Sequence, residues 1–326
     1  MPRMSAMQAM GEAIAEEMRR DPRVVMFGEG VATKRRELVA EFGGARVRNT
    51  PLAEGIIAGT AAGAAATGLR PVIDLLFAPF ICFSMEELVN SAGKLRYVSG
   101  GQFSFPLVAM AMTGCGWTVG AQHNQNIEAW FAHTPGIKVV MPSTPADFKG
   151  LMKSAIRDEN PVMFFADMPL LHAEGDVPEG EHVVPIGKAA VCRRGTDVTL
   201  VAYAKMVPAC AAAADTLAAE GISAEVIDLR SVKPWDEETV LESVRRTGRL
   251  VVVHEASRTC GVGAEVAATA AEKAFDRLRA PVVRITGPDA PAPSSWALEQ
   301  AFVPQPTAIV ESVRTLVVRQ REGTAA

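Results

Sequence analysis

Apolar residues fall into two patterns along this chain: short, nearly unbroken runs, and longer stretches at helical spacing. Val24–Phe27, Pro71–Phe77, Leu107–Met110, Lys138–Met141 and Val162–Phe165 are runs of the first kind. Strands covered on both faces read this way. Helices are expected between them, over Ala53–Thr67, Met85–Tyr97, Asn126–Phe131 and Ala146–Arg157. The alternation predicts a mainly parallel sheet with helices on both sides. From Ala166 to Gly187 the rhythm lapses into prolines, glycines and scattered charges, which reads as a linker. It then resumes, with strands at Val198–Val201, Ala224–Ile227, Leu250–Val253 and Val282–Ile285. Helices are expected at Pro208–Ala219, Glu237–Arg246, Gly263–Phe275 and Thr307–Val317. Two α/β domains follow, at 1–170 and 187–326, joined by a linker at 171–186.

Composition narrows the classes of function. A length of 326 residues gives each half enough chain for its own core. Apolar residues at 48%, charged residues at 21% and a net charge of −4 describe a soluble globular protein. With 33 basic residues against 37 acidic ones, there is no overall attraction for nucleic acid phosphate. The longest apolar stretch, Pro71–Met85, is interrupted by Asp74 and Pro79, so no membrane span is expected. The first twenty residues carry Glu12, Glu16 and Glu17 and lack the apolar centre of a secretory signal. Cys82, Cys115, Cys192, Cys210 and Cys260 are odd in number and widely spaced. That spacing argues against a disulfide framework or zinc site and for a reducing cytoplasm.

Candidate chemistry gathers in a few places. Gly55, Gly59 and Gly63 share one helix face, although glycine costs ~1 kcal/mol against alanine inside a helix. Such a face serves either tight packing on the chain's own sheet or a close contact between subunits. Glu54 opens that helix, where an acidic side chain is favoured in any case by the helix dipole. Glu29 ends the first strand, and the carboxyl ends of parallel strands are where such sheets place ligands. His123 stands among amides and small residues in a polar loop, suited either to proton transfer near neutral pH or to a plain capping bond. His133, ending a short apolar helix, reads as structural; His172 and His182 fall in the linker region. No phosphate-binding P-loop, HExxH or GxSxG motif is present. The string Gly261-Val262-Gly263-Ala264-Glu265-Val266 lacks the third glycine of a dinucleotide fingerprint.

Four strings stand together in order: Asn49 to Ile56, Leu95 to Gln102, Gly120 to Gln125 and Ala129 to Gly136. Later strings agree with them: Ile227 to Arg230, Val253 to Glu255, Gly261 to Glu265 and Thr286 to Asp289. Jointly they resemble the beta subunit of the thiamine-diphosphate-dependent component of 2-oxo acid and acetoin dehydrogenase complexes. The similarity runs from about Met4 to Val318.

That resemblance implies an N-terminal transketolase-like pyrimidine-binding domain and a C-terminal transketolase-like domain, both doubly wound. It implies an α2β2 heterotetramer whose alpha subunit holds the diphosphate and Mg2+, and a lipoyl acyltransferase partner. The substrate would be a 2-oxo acid, such as pyruvate or a branched-chain acid, or acetoin. Glu54 matches the glutamate that bonds the pyrimidine ring nitrogen and relays a proton. Glu29 and Leu52 match positions near the cofactor, and Phe80 an aromatic residue packed on the pyrimidine. His123 matches the histidine associated with reductive acylation of the lipoyl group. Ala155, Asp158 and Asn160 match a loop that binds potassium in some members, although an ordinary helix-end turn reads the same way. The chain departs from the family pattern at Leu52-Ala53, at Asn124 and over Met110–Trp117. The last change lies near the expected active site and bears on the substrate. A split transketolase and a non-catalytic assembly subunit are the competing readings.

Overall fold

The computed structural model describes residues 1–323. Fourteen strands occur among them. In the first half these are β1 (Arg3–Ser5), β2 (Val24–Glu29), β3 (Val47–Thr50), β4 (Arg70–Phe77), β5 (Val108–Thr113), β6 (Lys138–Val140), β7 (Val162–Asp167) and β8 (Glu174–Asp176). In the second they are β9 (Ala190–Arg193), β10 (Val198–Ala202), β11 (Ala224–Asp228), β12 (Ser231–Lys233), β13 (Leu250–Ser257) and β14 (Val283–Gly287). One sheet has the order β12-β6-β7-β5-β4-β2-β3 and the other β14-β13-β10-β11-β9. Within them every pairing is parallel except β12 with β6 and β9 with β11. Strands β7, β10 and β11 are buried along their whole length, which is why they read as mainly apolar runs although Thr199 and Glu225 interrupt the last two.

Two features tie the halves together more closely than a linker would. Strand β12 belongs to the second half of the chain yet completes the edge of the first sheet, with Ser231 opposite Val140. The Pro- and Gly-rich stretch is a packed strap: β8 pairs with β1, Val177 and Val184 are buried, and His182 Nε2 lies 3.1 Å from the Ala146 carbonyl. The strap packs on the helix Pro145–Arg157, whose Gly150 leaves room for Val184, and its own Gly175 lies against Pro145.

The continuous helix expected over Met85–Tyr97 is instead a π-helical segment, Glu86–Ala92, followed by a separate turn, Leu95–Val98. The break has a steric cause. The backbones of Gly93 and Gly136 cross so closely that a Cβ on Gly136 would stand 1.9 Å from the Gly93 carbonyl oxygen. Glycine at 136 is a requirement of that crossing, while a Cβ on Gly93 would instead meet the Val89 carbonyl oxygen at 2.8 Å.

The helix Glu54–Ala66 resolves the glycine face. Gly55 and Gly59 pack on the chain's own Phe83–Glu87 segment, and a Cβ on Gly55 would lie 2.8 Å from the Phe83 carbonyl oxygen. Gly63 faces open space. The first two glycines thus pack closely within the chain, on the segment after β4 and not on the sheet, and only Gly63 is left for a contact outside the chain. Among the described residues no helix is long and apolar enough to cross a membrane.

The glycines are thus expected to respond in opposite directions in the isolated chain. Gly63→Ala stabilises it by up to ~1 kcal/mol, because the helix interior there has room for a methyl group. Gly55→Ala destabilises it, because the obstructing atom is backbone. Thermal unfolding of the two variants checks both signs.

Candidate active site

Strands β2, β3, β4 and β5 run parallel, so their carboxyl ends share one edge of the sheet. Glu29 pairs with Thr50 and Gly28 with Asp74 across that edge. Glu29, the turn leading to Glu54, the Phe80 segment after β4 and the His123 loop after β5 all leave the sheet there. This is where open α/β sheets place ligands.

Glu54 is half-buried at the first position of its helix and makes no hydrogen bond or ion pair with any described residue. Leu52 is 67% exposed, and Ile56 at 73% and Phe83 at 66% extend the apolar surface beside it. The Glu29 carbonyl accepts from Lys34 Nζ at 3.1 Å, while its carboxylate has no partner among the described residues. The His123 ring stands edge-on to Phe77 and Phe80, with centroids 4.8 and 5.1 Å away. A cleft of about 620 Å³ opens beside this group, walled by Phe80, Phe83, Gln122 and Asn124 from the first half and Glu255 and Asp289 from the second. Asp74, on the same edge, has its carboxyl raised by burial and accepts from the Leu76 N–H at 3.0 Å.

Ala155, Asp158 and Asn160 lie elsewhere. They form the turn between the helix Pro145–Arg157 and β7, at the amino edge of the sheet. Asp158 pairs with Lys138, the Asn160 side-chain oxygen accepts from Arg96 at 2.8 Å, and the Ile156 and Asp158 carbonyls accept from Arg70 at 3.0 and 3.2 Å. The side-chain oxygens of the turn are already engaged by cations of the protein.

The altered segment after β5 is held from the second half of the chain. Glu255, at the end of β13, accepts from the Cys115 N–H at 2.6 Å and pairs with Lys205. Lys205 in turn donates to the Cys115 carbonyl at 2.5 Å and lies 3.8 Å from Asp167. Glu299 accepts from the N–H groups of Gly116 and Thr118 and from Asn124 Nδ2. Nearby, the Tyr203 hydroxyl donates to Glu128 at 2.7 Å and its ring stacks on that of His254. Burial raises the carboxyl groups of Asp167 and Glu128, the latter to about 7, and pushes the His254 imidazole down to about 4. Burial alone would lower Lys205, but Asp167 and Glu255 hold it above its ordinary value.

Sequence reasoning did not single out Asp167, Lys205, Glu128 or Glu299. Asp167 and Glu255 carried a signal, since each is an acid at the carboxyl end of an apolar run. Glu299 carried none. Its helix, Trp296–Phe302, exposes Trp296 at 60% and Leu298 at 59% while Glu299 is fully buried.

The sequence matches the transketolase pyrimidine-binding domain over residues 3–172 and the transketolase C-terminal domain over 187–309. It is 43% identical to the beta subunit of an acetoin:2,6-dichlorophenolindophenol oxidoreductase from Cupriavidus necator, over 96% of this chain and 97% of the relative. It is 41% identical to the pyruvate dehydrogenase E1 component subunit beta of Porphyra purpurea, covering 97% of this chain and 98% of the other. A 2-oxoisovalerate dehydrogenase subunit beta from Bacillus subtilis is also 41% identical, over 96% and 98%. Among solved structures, the inactive beta4 tetramer of a split gene transketolase superposes with a TM-score of 0.81 at 27% identity, covering 97% and 98% of the two chains.

The buried carboxyl groups give stability a defined pH dependence. Glu128 has a raised value in the fold, so its contribution is complete below about 4.5 and is lost as pH rises through about 7. Between these limits Glu128 makes the melting temperature fall with pH, against an opposite contribution from His254, whose depressed value stabilises the fold as pH rises. Glu128→Gln, which still accepts from Tyr203, should flatten that fall; an unchanged slope would contradict a protonated Glu128.

Proposed function

The chain belongs to the transketolase family, and on that premise we propose that it is the beta subunit of a thiamine-diphosphate-dependent dehydrogenase. With an alpha subunit, forming an α2β2 heterotetramer, it would act on a 2-oxo acid or acetoin and pass the acyl group to a lipoyl acyltransferase. Relatives at 41–43% identity over nearly full length carry names of this kind, which supports the reading over a split transketolase at 27%. The odd number and wide spacing of the five cysteines support a cytoplasmic setting.

The observation that carries the proposal is a half-buried carboxylate, Glu54, left without a partner at the strand edge that also bears Phe80 and His123. These residues fit the uncharged aromatic half of the cofactor. For its diphosphate the described cleft wall offers no lysine or arginine. On this reading the alpha subunit would hold the diphosphate and Mg2+, as the family resemblance implies. When bound, thiamine diphosphate supplies a carbanion at its thiazolium carbon. Glu54 would hold a proton at the pyrimidine ring nitrogen, Phe80 would pack on the ring, and Glu29 and Leu52 would border it. His123 would deliver a proton to the departing lipoyl sulfur. Potassium at the Ala155–Asn160 turn is a separate proposal. Since Lys138 and Arg96 meet the turn's side-chain oxygens and Arg70 meets the Ile156 and Asp158 carbonyls, such an ion would have to displace a cation of the protein.

Glu54→Gln in the reconstituted complex should abolish hydrogen–deuterium exchange at the thiazolium carbon; exchange at the wild-type rate would refute its role. His123→Ala should leave cofactor binding intact while transfer to lipoamide falls on the order of a hundredfold or more. Turnover of sugar phosphates in place of 2-oxo acids or acetoin would establish the transketolase reading.

A further inference from the structure

Glu299 is the most unusual side chain outside the residues assigned so far. Its seven-residue helix turns Trp296 and Leu298 to solvent and a carboxylate inward, the reverse of the expected pattern. A buried carboxylate is costly unless its oxygens are bonded. No lysine, arginine or histidine pairs with Glu299 among the described residues. Its oxygens are met instead by three N–H donors of one loop: Gly116 N at 3.2 Å, Thr118 N at 3.0 Å and Asn124 Nδ2 at 2.6 Å. That loop needs holding. Gly114, Gly116 and Gly120 take φ of +85°, +136° and +80°, and Thr118, which has a side chain, takes +55°. Strained positions persist only where the surroundings determine them. Asn124 is 1% exposed and directly follows His123, and Phe302 of the Glu299 helix also lines the cleft.

We propose that Glu299 is a positioning residue for His123: by binding Gly116, Thr118 and Asn124 together it fixes the loop that carries the imidazole and sets it against Phe77 and Phe80. The C-terminal half thus sets the geometry of a group carried by the N-terminal half. The inference rests on His123 being the proton donor of the preceding section. It adds that this donor works only while a carboxylate about 175 residues away in sequence holds its neighbour.

The test is Glu299→Gln in the complex reconstituted with the alpha subunit. Glutamine keeps the volume but turns an NH2 toward N–H donors. The first readout is carbethoxylation of His123 by diethyl pyrocarbonate in the cofactor-free complex, followed by mass spectrometry, with exposed His133 as internal control. We expect a several-fold change in the His123 rate and none at His133. The second is the ratio of lipoamide transfer to dichlorophenolindophenol reduction, expected to fall on the order of tenfold. Adding Glu299→Gln to His123→Ala should lower that ratio no further. An unchanged His123 rate, or losses that multiply in the double variant, would overturn the proposal. If Glu299→Gln does not fold, Asn124→Ala removes only the side-chain link and carries the same readouts. An altered His123 rate together with normal transfer in His123→Ala would uphold the positioning role and refute the proton-donor role instead.

Discussion

Main-chain N–H groups of the loop after β5 donate to two buried carboxylates from the other half of the chain, Glu255 and Glu299. Neither side of this contact is affordable alone. Buried amide groups need acceptors, and buried carboxylates need donors. Each set of groups offsets the desolvation of the other, so the two halves are fixed relative to one another where the cleft opens. Lys205 reinforces the junction by bridging Asp167 of the first half, Glu255 of the second and the Cys115 carbonyl. Removing one member of such a cluster leaves the others buried and unpaired, which costs more than the pair contributes.

The long strands were legible in the sequence because burial on both faces makes them uniformly apolar. Short strands were not. Strand β3 (Val-Arg-Asn-Thr) has one buried residue, and β12 exists only because a distant edge, β6, is available to pair with it. The Met85–Tyr97 helix was misread because what breaks it, Gly136, lies more than forty residues beyond Gly93. Sites divide in the same way. Glu29 ends a strand, Glu54 opens a helix and His123 lies in a polar loop, so local context and the family resemblance both reached them. Glu299 is joined to its partners across 175 to 183 residues, and its own helix reads as amphipathic in the wrong sense.

The two edges of the first sheet carry different loads. The carboxyl edge presents Glu54 without a partner and sets His123 against Phe77 and Phe80, leaving polar groups free to meet a ligand. At the amino edge, by contrast, the oxygens of the Asp158 turn are engaged by Arg70, Arg96 and Lys138. The first edge borders exposed Leu52, Ile56 and Phe83, the last of which also lines the cleft. A pocket with an aromatic wall, acidic residues and an apolar rim is suited to one end of a cofactor, with a second polypeptide closing over the other.

The central claim is that this chain holds half of a cofactor site. Calorimetric titration of thiamine diphosphate with Mg2+ into the isolated chain, and into the chain reconstituted with its alpha partner, tests it most directly. The account predicts no saturable binding to the chain alone and one site per alpha–beta pair in the complex. Tight, stoichiometric binding to the isolated chain would contradict it.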